Sequence, residues 1–331
     1  MAPRFDLDFD EPTATVQHVA PGLRRVIAAN PSHFTFRGTG TYIVGSGKSV
    51  AVIDPGPNID AHLEALLAAV EADEVTHVLV THTHRDHSPL ATPLARRTGA
   101  LTYGFGPNGH VPDHDPTDTI DFGVEDDEED EDEASAGETE KGKKNEDNHD
   151  DGGFDTDFVP DVALRHGDQL AGEGWTMTAV YTPGHTSNHL CFGWTENGYL
   201  FSGDHVMGWS STVISAPDGS MSQYMASLDL LLERPDTVYW PTHGRQIENP
   251  QGHVRDLIEH RRSREQQILQ QLTEGVHTIE QIVPTLYAVV TKKLWPAAAR
   301  SVHAHLVGLV DQGVVISASG TNRLTDEYTL T

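Results

Sequence analysis

The run His82-Thr83-His84-Arg85-Asp86-His87 puts four metal-binding side chains within six residues. It follows the apolar segment His77-Val78-Leu79-Val80-Thr81, which reads as a strand, so the cluster falls at the rim of a sheet. Mixed imidazole and carboxylate donors suit Zn²⁺ and also accommodate Mn²⁺ or Fe²⁺. So short a cluster cannot complete the shells of two ions, and further donors must come from distant parts of the chain. Three candidates stand just beyond other apolar segments. His185 lies in Thr182-Pro183-Gly184-His185, Asp204 in Ser202-Gly203-Asp204, and His243 in Trp240-Pro241-Thr242-His243. The order repeats: strand, small or turn-forming residue, ligand. Glycine and proline let the backbone turn sharply there. Two divalent ions roughly 3.5–4 Å apart share a water and lower its pKa, which makes hydrolysis the chemistry to expect.

These motifs, H-x-H-x-D-H and then a distant His, Asp and His, resemble the metallo-β-lactamase superfamily of dinuclear metallohydrolases. The resemblance implies that His82, His84 and His185 hold one ion and that Asp86, His87 and His243 hold the other. Asp204 would bridge the two. A hydroxide shared by the ions would be the nucleophile, and Asp86 would also orient it and carry its proton. Two Zn²⁺ ions are the first expectation, with Mn²⁺ or Fe²⁺ as alternatives. Asp54 resembles the family's early aspartate that supports the site, and equally reads as a turn residue of Asp54-Pro55-Gly56-Pro57. His189 is expected to touch substrate, to orient a ligand, or to serve as a structural histidine. Strand alternation turns His205 away from the metals. One zinc class of true β-lactamases has a cysteine where this chain has Asp204, which argues against antibiotic hydrolysis.

The elements that must position these ligands form an α+β pattern. Strands are expected at 41–45, 49–54, 77–81, 175–182, 189–194, 198–202 and 237–240. Leu63, Leu66, Leu67 and Val70 mark one amphipathic helix, and Tyr224, Met225, Leu228, Leu231 and Leu232 mark another, with Ser222 as its cap. The resemblance implies an αββα sandwich for residues 1–250. Residues 251–331 change character. A long helix runs through Arg261, Arg262 and Arg264. Thr278 with Gln281 forms a capping-box pattern. A third helix ends at Gly313. Short strands are expected at 314–316 and 323–324. This describes a winged-helix module. With residues 35–42 and 260–268, it resembles the beta-lactamase-like protein 2 branch of the superfamily.

The formal charge is −28 over 331 residues, but residues 113–157 alone carry −18, including nine consecutive acids from Glu125 to Glu133. Such a segment is expected to be a disordered insertion in a surface loop, a solvated spacer within the catalytic domain. The tail from residue 253 onward holds eight basic and eight acidic residues, where strong phosphate binding needs a basic face. Arg261, Arg262 and Arg264 are the residues that would supply one. The single cysteine, Cys191, excludes an internal disulfide. With no signal-like start and no apolar run long enough for a membrane span, it gives a cytoplasmic expectation with no membrane partner. The branch resemblance makes single-stranded RNA the first substrate expectation, and a homodimer is expected on the same ground. The alternative substrate is a small ester, thioester or lactone, as in glyoxalase II-like relatives.

Overall fold

The computed structural model describes residues 3–108, 118–123, 153–289 and 291–331. Two sheets face each other. The first has seven strands in sequential order: β1 (Gln17–Ala20), β2 (Leu23–Ile27), β3 (Gly40–Ser46), β4 (Ser49–Ile53), β5 (Val75–Leu79), β6 (Leu101–Gly104) and β7 (Val162–Ala163). β1 to β4 pair antiparallel, and β4 to β7 pair parallel. The second sheet runs in the order β12-β11-β10-β9-β8, formed by β8 (Gln169–Gly172), β9 (Trp175–Tyr181), β10 (Leu190–Trp194), β11 (Tyr199–Gly203) and β12 (Val238–Pro241).

The two-residue period of a strand explains the layers. In β3, Tyr42 and Val44 face the other sheet while Ile43 faces helices. In β10, Leu190, Phe192 and Trp194 join the same inner core while Cys191 faces outward to a helix layer. Both faces of each sheet are therefore buried, which explains why these strands are almost continuously apolar. α1 (Asp60–Ala69) and α2 (Ala91–Thr98) cover the first sheet, and α3 (Met221–Leu232) with the start of α4 (Pro250–Thr273) covers the second. The result is an αββα sandwich. Cys191 is fully buried, and burial pushes its thiol up to about 12, so it is an inert core residue.

α4 has a double attachment. Val254, Leu257 and Ile258 pack on the sandwich, and Ile268 and Leu272 pack into a second core with α5 (Ile279–Leu286), α6 (Trp295–Asp311) and the hairpin β13–β14 (Val315–Ser317, Tyr328–Leu330). Besides β1, β2, β6, β7, β8 and α2, which the sequence reading did not include, three details differ from it. The cap of α3 is Ser220, whose side chain accepts from Gln223 N, and the Ser222 hydroxyl pairs with that of Ser220 instead. Thr278 stands at the N-cap position of α5 but its side chain makes no capping bond, and its backbone forms a bridge to Glu327. The second hairpin strand is residues 328–330, not 323–324. Asp326 accepts from Ser317 Oγ, Ser319 Oγ and Arg323 N, which closes residues 317–326 into a loop and delays the strand.

The core of the acidic insertion lies outside the described residues. Its flanks are anchored at opposite ends. Asp118 accepts from the amides of Leu324 and Thr325, and Phe122 packs edge-on against Trp295. At the other flank, Arg85 N donates to Gly153 O and Asp155 N to Thr83 O. Among the described residues, no helix is long and apolar enough to cross a membrane.

Candidate metal centre

The candidate ligands leave the carboxyl ends of neighbouring strands, where open αβ sheets generally build their sites. His82, His84, Asp86 and His87 follow β5, His185 follows β9, Asp204 follows β11 and His243 follows β12. Asp54 follows β4. The structure brings all seven candidate ligands into one cluster.

Within the cluster the donor atoms form two groups. His84 Nδ1 lies 2.9 Å from His82 Nε2 and 3.1 Å from His185 Nε2. Asp86 Oδ2 lies 3.2 Å from His87 Nε2 and 3.1 Å from His243 Nε2. Asp204 stands between, with Oδ2 3.6 Å from His87 Nε2 and 3.8 Å from His185 Nε2, and Oδ1 3.4 Å from His243 Nε2. Zinc–nitrogen bonds of roughly 2.0–2.1 Å set tetrahedral donors about 3.3 Å apart, so these spacings fit a metal. Two buried atoms at the centre, His87 Nε2 and Asp204 Oδ1, have no hydrogen-bond partner. Buried polar atoms are rarely left unpaired, and a shared ion satisfies both.

The outer nitrogens are held in place. His87 Nδ1 is 2.9 Å from Asp54 Oδ2, His185 Nδ1 is 2.7 Å from Val213 O, His243 Nδ1 is 3.2 Å from Gly38 O, and His82 Nδ1 is 3.0 Å from Thr81 Oγ1. Such partners hold the outer N–H of each ring and aim the inner nitrogen at the place an ion would occupy. Asp54 is a hub, also accepting from Thr81 N, Thr81 Oγ1 and Thr242 Oγ1. Thr39 Oγ1 donates to Asp86 Oδ2 at 3.1 Å. His189 is fully buried. Its Nδ1 meets Thr182 Oγ1 at 2.9 Å, and Nε2 accepts from Asp204 N at 3.3 Å. Gly203 has φ +53°, and a Cβ there would sit 2.5 Å from His189 Nε2, so glycine lets the Asp204 turn close on this ring. His205 points into the helix layer, 4.7 Å from the Tyr224 ring.

Charge divides the two groups. Burial, reinforced by repulsion among the rings, holds His82 well below its ordinary value, and burial takes His84 down to about 3. Burial also lowers His185. Burial opposes charge on His87 and His243 as well, but the carboxylates of Asp204 and Asp86 outweigh it. His87 rises well above its usual value and His243 rises to about 10. Burial likewise works against the Asp86 anion, which the His87 and His243 cations nevertheless hold ionised. The first group is therefore neutral and ready to ligate, and an ion entering the second must displace protons.

Thr39, Thr81, Thr212, Thr242 and the carbonyls of Gly38 and Val213 escaped the sequence reading. The one available signal is that Thr81 and Thr242 each directly precede a ligand histidine. Phe154, whose ring stacks 4.9 Å from that of His84, escaped it as well, since it lies beside the acidic segment. His62 on α1 was also unrecognised. The Thr41 hydroxyl donates to Asp54 O, so it accepts from His62 Nε2 at 3.0 Å.

Burial lowers His62 from 6.5 to about 4. The unfolded chain takes up this proton first, so stability is unaffected above 6.5 and falls as pH drops from there toward 4, by about 3 kcal/mol in all. Urea unfolding of His62→Gln, which has no proton to gain, is expected to show a shallower loss over that range. An unchanged slope would contradict the assignment.

Residues 35–243 match the Metallo-beta-lactamase superfamily, and residues 278–323 match the Beta-lactamase associated winged helix domain. The chain is 30% identical to the Beta-lactamase-like protein 2 homolog of Drosophila melanogaster over 311 residues, 90% of this chain and 91% of that one. It is 27% identical to the atrochrysone carboxyl ACP thioesterase of Claviceps purpurea over 281 residues, 82% of this chain and 74% of that one. Its fold is similar to that of a beta-lactamase domain protein from Burkholderia ambifaria, with a TM-score of 0.72 at 19% identity, covering 99% of this chain and 97% of that one. The superfamily match takes in every strand that carries a candidate ligand, and on it the chain belongs to the metallo-β-lactamase superfamily of hydrolases, its sandwich followed by a winged-helix domain.

Proposed function

We propose that the chain is a dinuclear zinc hydrolase of small esters or thioesters. His82, His84 and His185 would hold one ion, Asp86, His87 and His243 the other, and Asp204 would face both. Bound there, the ions would supply an activated water and polarise the scissile carbonyl. Asp86, fixed by Thr39, would orient that water and take its proton. Donors that are all imidazole and carboxylate support zinc over a thiophilic ion, and a single buried cysteine supports a reducing, cytoplasmic setting.

One observation favours a small substrate over RNA. Two of the three arginines that would form a basic face on α4 turn inward. Arg261 is 4% exposed. Arg264 donates to Leu286 O and lies 4.2 Å from the Tyr287 ring centroid. Only Arg262 of the three is classed as exposed, on a chain of net charge −28. The thioesterase name of the Claviceps purpurea relative supports the same reading. Single-stranded RNA is the second reading, supported by the winged-helix domain.

Zinc-loaded protein is expected to release thiol from acyl thioesters and to leave a labelled single-stranded RNA intact. RNA cleavage that weakens steeply with salt, and is absent from an Asp204→Ala twin, would replace the thioester reading with the RNA one.

A further inference from the structure

A buried cation with no carboxylate beside it needs an explanation, because desolvating a charge is expensive. The guanidinium of Arg261 is such a group: among the described residues it forms no ion pair. Its Nη2 donates to Thr212 O at 2.5 Å, its Nη1 reaches Ser301 Oγ of α6 at 3.4 Å, and its plane lies 5.4 Å from the Tyr224 ring centroid.

Two of these three contacts, Thr212 and Tyr224, lead to His185. The 212–213 peptide segment has Thr212 O on Arg261 and Val213 O on His185 Nδ1, while Thr212 Oγ1 is 3.2 Å from the same nitrogen. Tyr224 supports the turn before His185. Gly184 has φ +141°, and a Cβ there would lie 2.4 Å from Tyr224 Cα. Ser220 N, ahead of the same helix, donates to Gly184 O at 2.9 Å. By contrast, the outer nitrogens of His87 and His243 are held by Asp54 and Gly38, and nothing on α4 reaches them.

We propose that Arg261 is a positioning residue for the His185 arm of the metal centre, and that through it the winged-helix domain sets the geometry of one ion site and leaves the other alone. The proposal rests on the metal centre described above. It gives the C-terminal domain a role in the hydrolase that requires no nucleic acid. It also explains why an arginine stands there. A planar guanidinium can bridge a carbonyl and a hydroxyl on two elements at once, and an ammonium cannot do so in the same plane.

The test is cobalt titration of metal-free wild type, Arg261→Met, Arg261→Lys and Arg264→Met, read by visible absorption and by competition with a chromophoric chelator. Arg264→Met is the control, since Arg264 sits on the same helix but contacts only the C-terminal domain. Arg261→Met and Arg261→Lys are expected to weaken one ion by at least about tenfold and alter its absorption bands, with the second ion near its wild-type affinity. Arg264→Met should match the wild type. If Arg261→Met does not fold, Arg261→Lys, which keeps the buried charge and volume, decides alone. Wild-type affinities and spectra in the Arg261 variants, or equal weakening of both ions, would overturn the proposal. A wild type that takes up no ion would overturn the metal centre itself.

Discussion

Asp204→Ala is expected to remove turnover by at least a thousandfold, about ten times more than the roughly 10–100-fold that losing an outer partner of a ligand costs. The carboxylate stands within 3.4–3.8 Å of His87, His185 and His243, one or more from each donor group. The fold should survive. Asp204 Oδ1 has no hydrogen-bond partner to orphan, and the backbone bond from Asp204 N to His189 Nε2 does not depend on the side chain. The measurable signature is a fall in metal bound per chain with an unchanged far-ultraviolet spectrum. Two ions per chain at wild-type affinity, or turnover within tenfold, would defeat the dinuclear arrangement.

The candidate ligands were legible because each is a metal-binding residue type just beyond the end of a strand, and strands announce themselves by apolar runs. β4 reads Ser-Val-Ala-Val-Ile and β10 Leu-Cys-Phe-Gly-Trp, and both are buried throughout. The two edge strands of the first sheet, β1 and β7, were not legible. β1 is Gln-His-Val-Ala with no residue fully buried, and β7 is two residues long, so neither has a pattern to read. Arg261 was illegible for another reason. Its neighbours Arg262 and Arg264 make a basic run that resembles a solvated helix face, and only the packing of α3, α5 and α6 against α4 turns Arg261, and with it Arg264, inward. The carbonyls that orient His185 and His243 belong to Val213 and Gly38, and a main-chain acceptor leaves no trace in residue identity. Asp54 was half legible: its position at a strand end was clear, but not that four donors converge on it.

That convergence reverses the weight Asp54 would have as a turn residue. Asp54→Ala should destabilise the fold by about 3–5 kcal/mol, since it strands buried donors at Thr81 N, Thr81 Oγ1, His87 Nδ1 and Thr242 Oγ1, each costing roughly 1–3 kcal/mol with partial relaxation. Alanine is also poorly suited to the φ of +50° at this position, which aspartate and asparagine tolerate better. Asp54→Asn separates stability from chemistry. The amide can still serve Thr81 N through its oxygen, and a threonine hydroxyl can rotate to accept, but its NH₂ has two hydrogens for the three atoms that face Oδ2, Thr81 Oγ1, Thr242 Oγ1 and His87 Nδ1. His87 has no such freedom except to change tautomer. Facing an NH₂ group, its Nδ1 must become the acceptor, and the proton moves to Nε2, the atom 3.2 Å from Asp86 and 3.6 Å from Asp204. A proton there occupies the lone pair an ion needs. Asp54→Asn is therefore expected to unfold at a urea midpoint nearer the wild type than that of Asp54→Ala, yet to bind the ion on the His87 and His243 side about 10–100-fold more weakly. The ion on the His82, His84 and His185 side should be unaffected. Wild-type affinity for both ions in a folded Asp54→Asn would mean that Asp54 holds the turns together without governing the His87 tautomer.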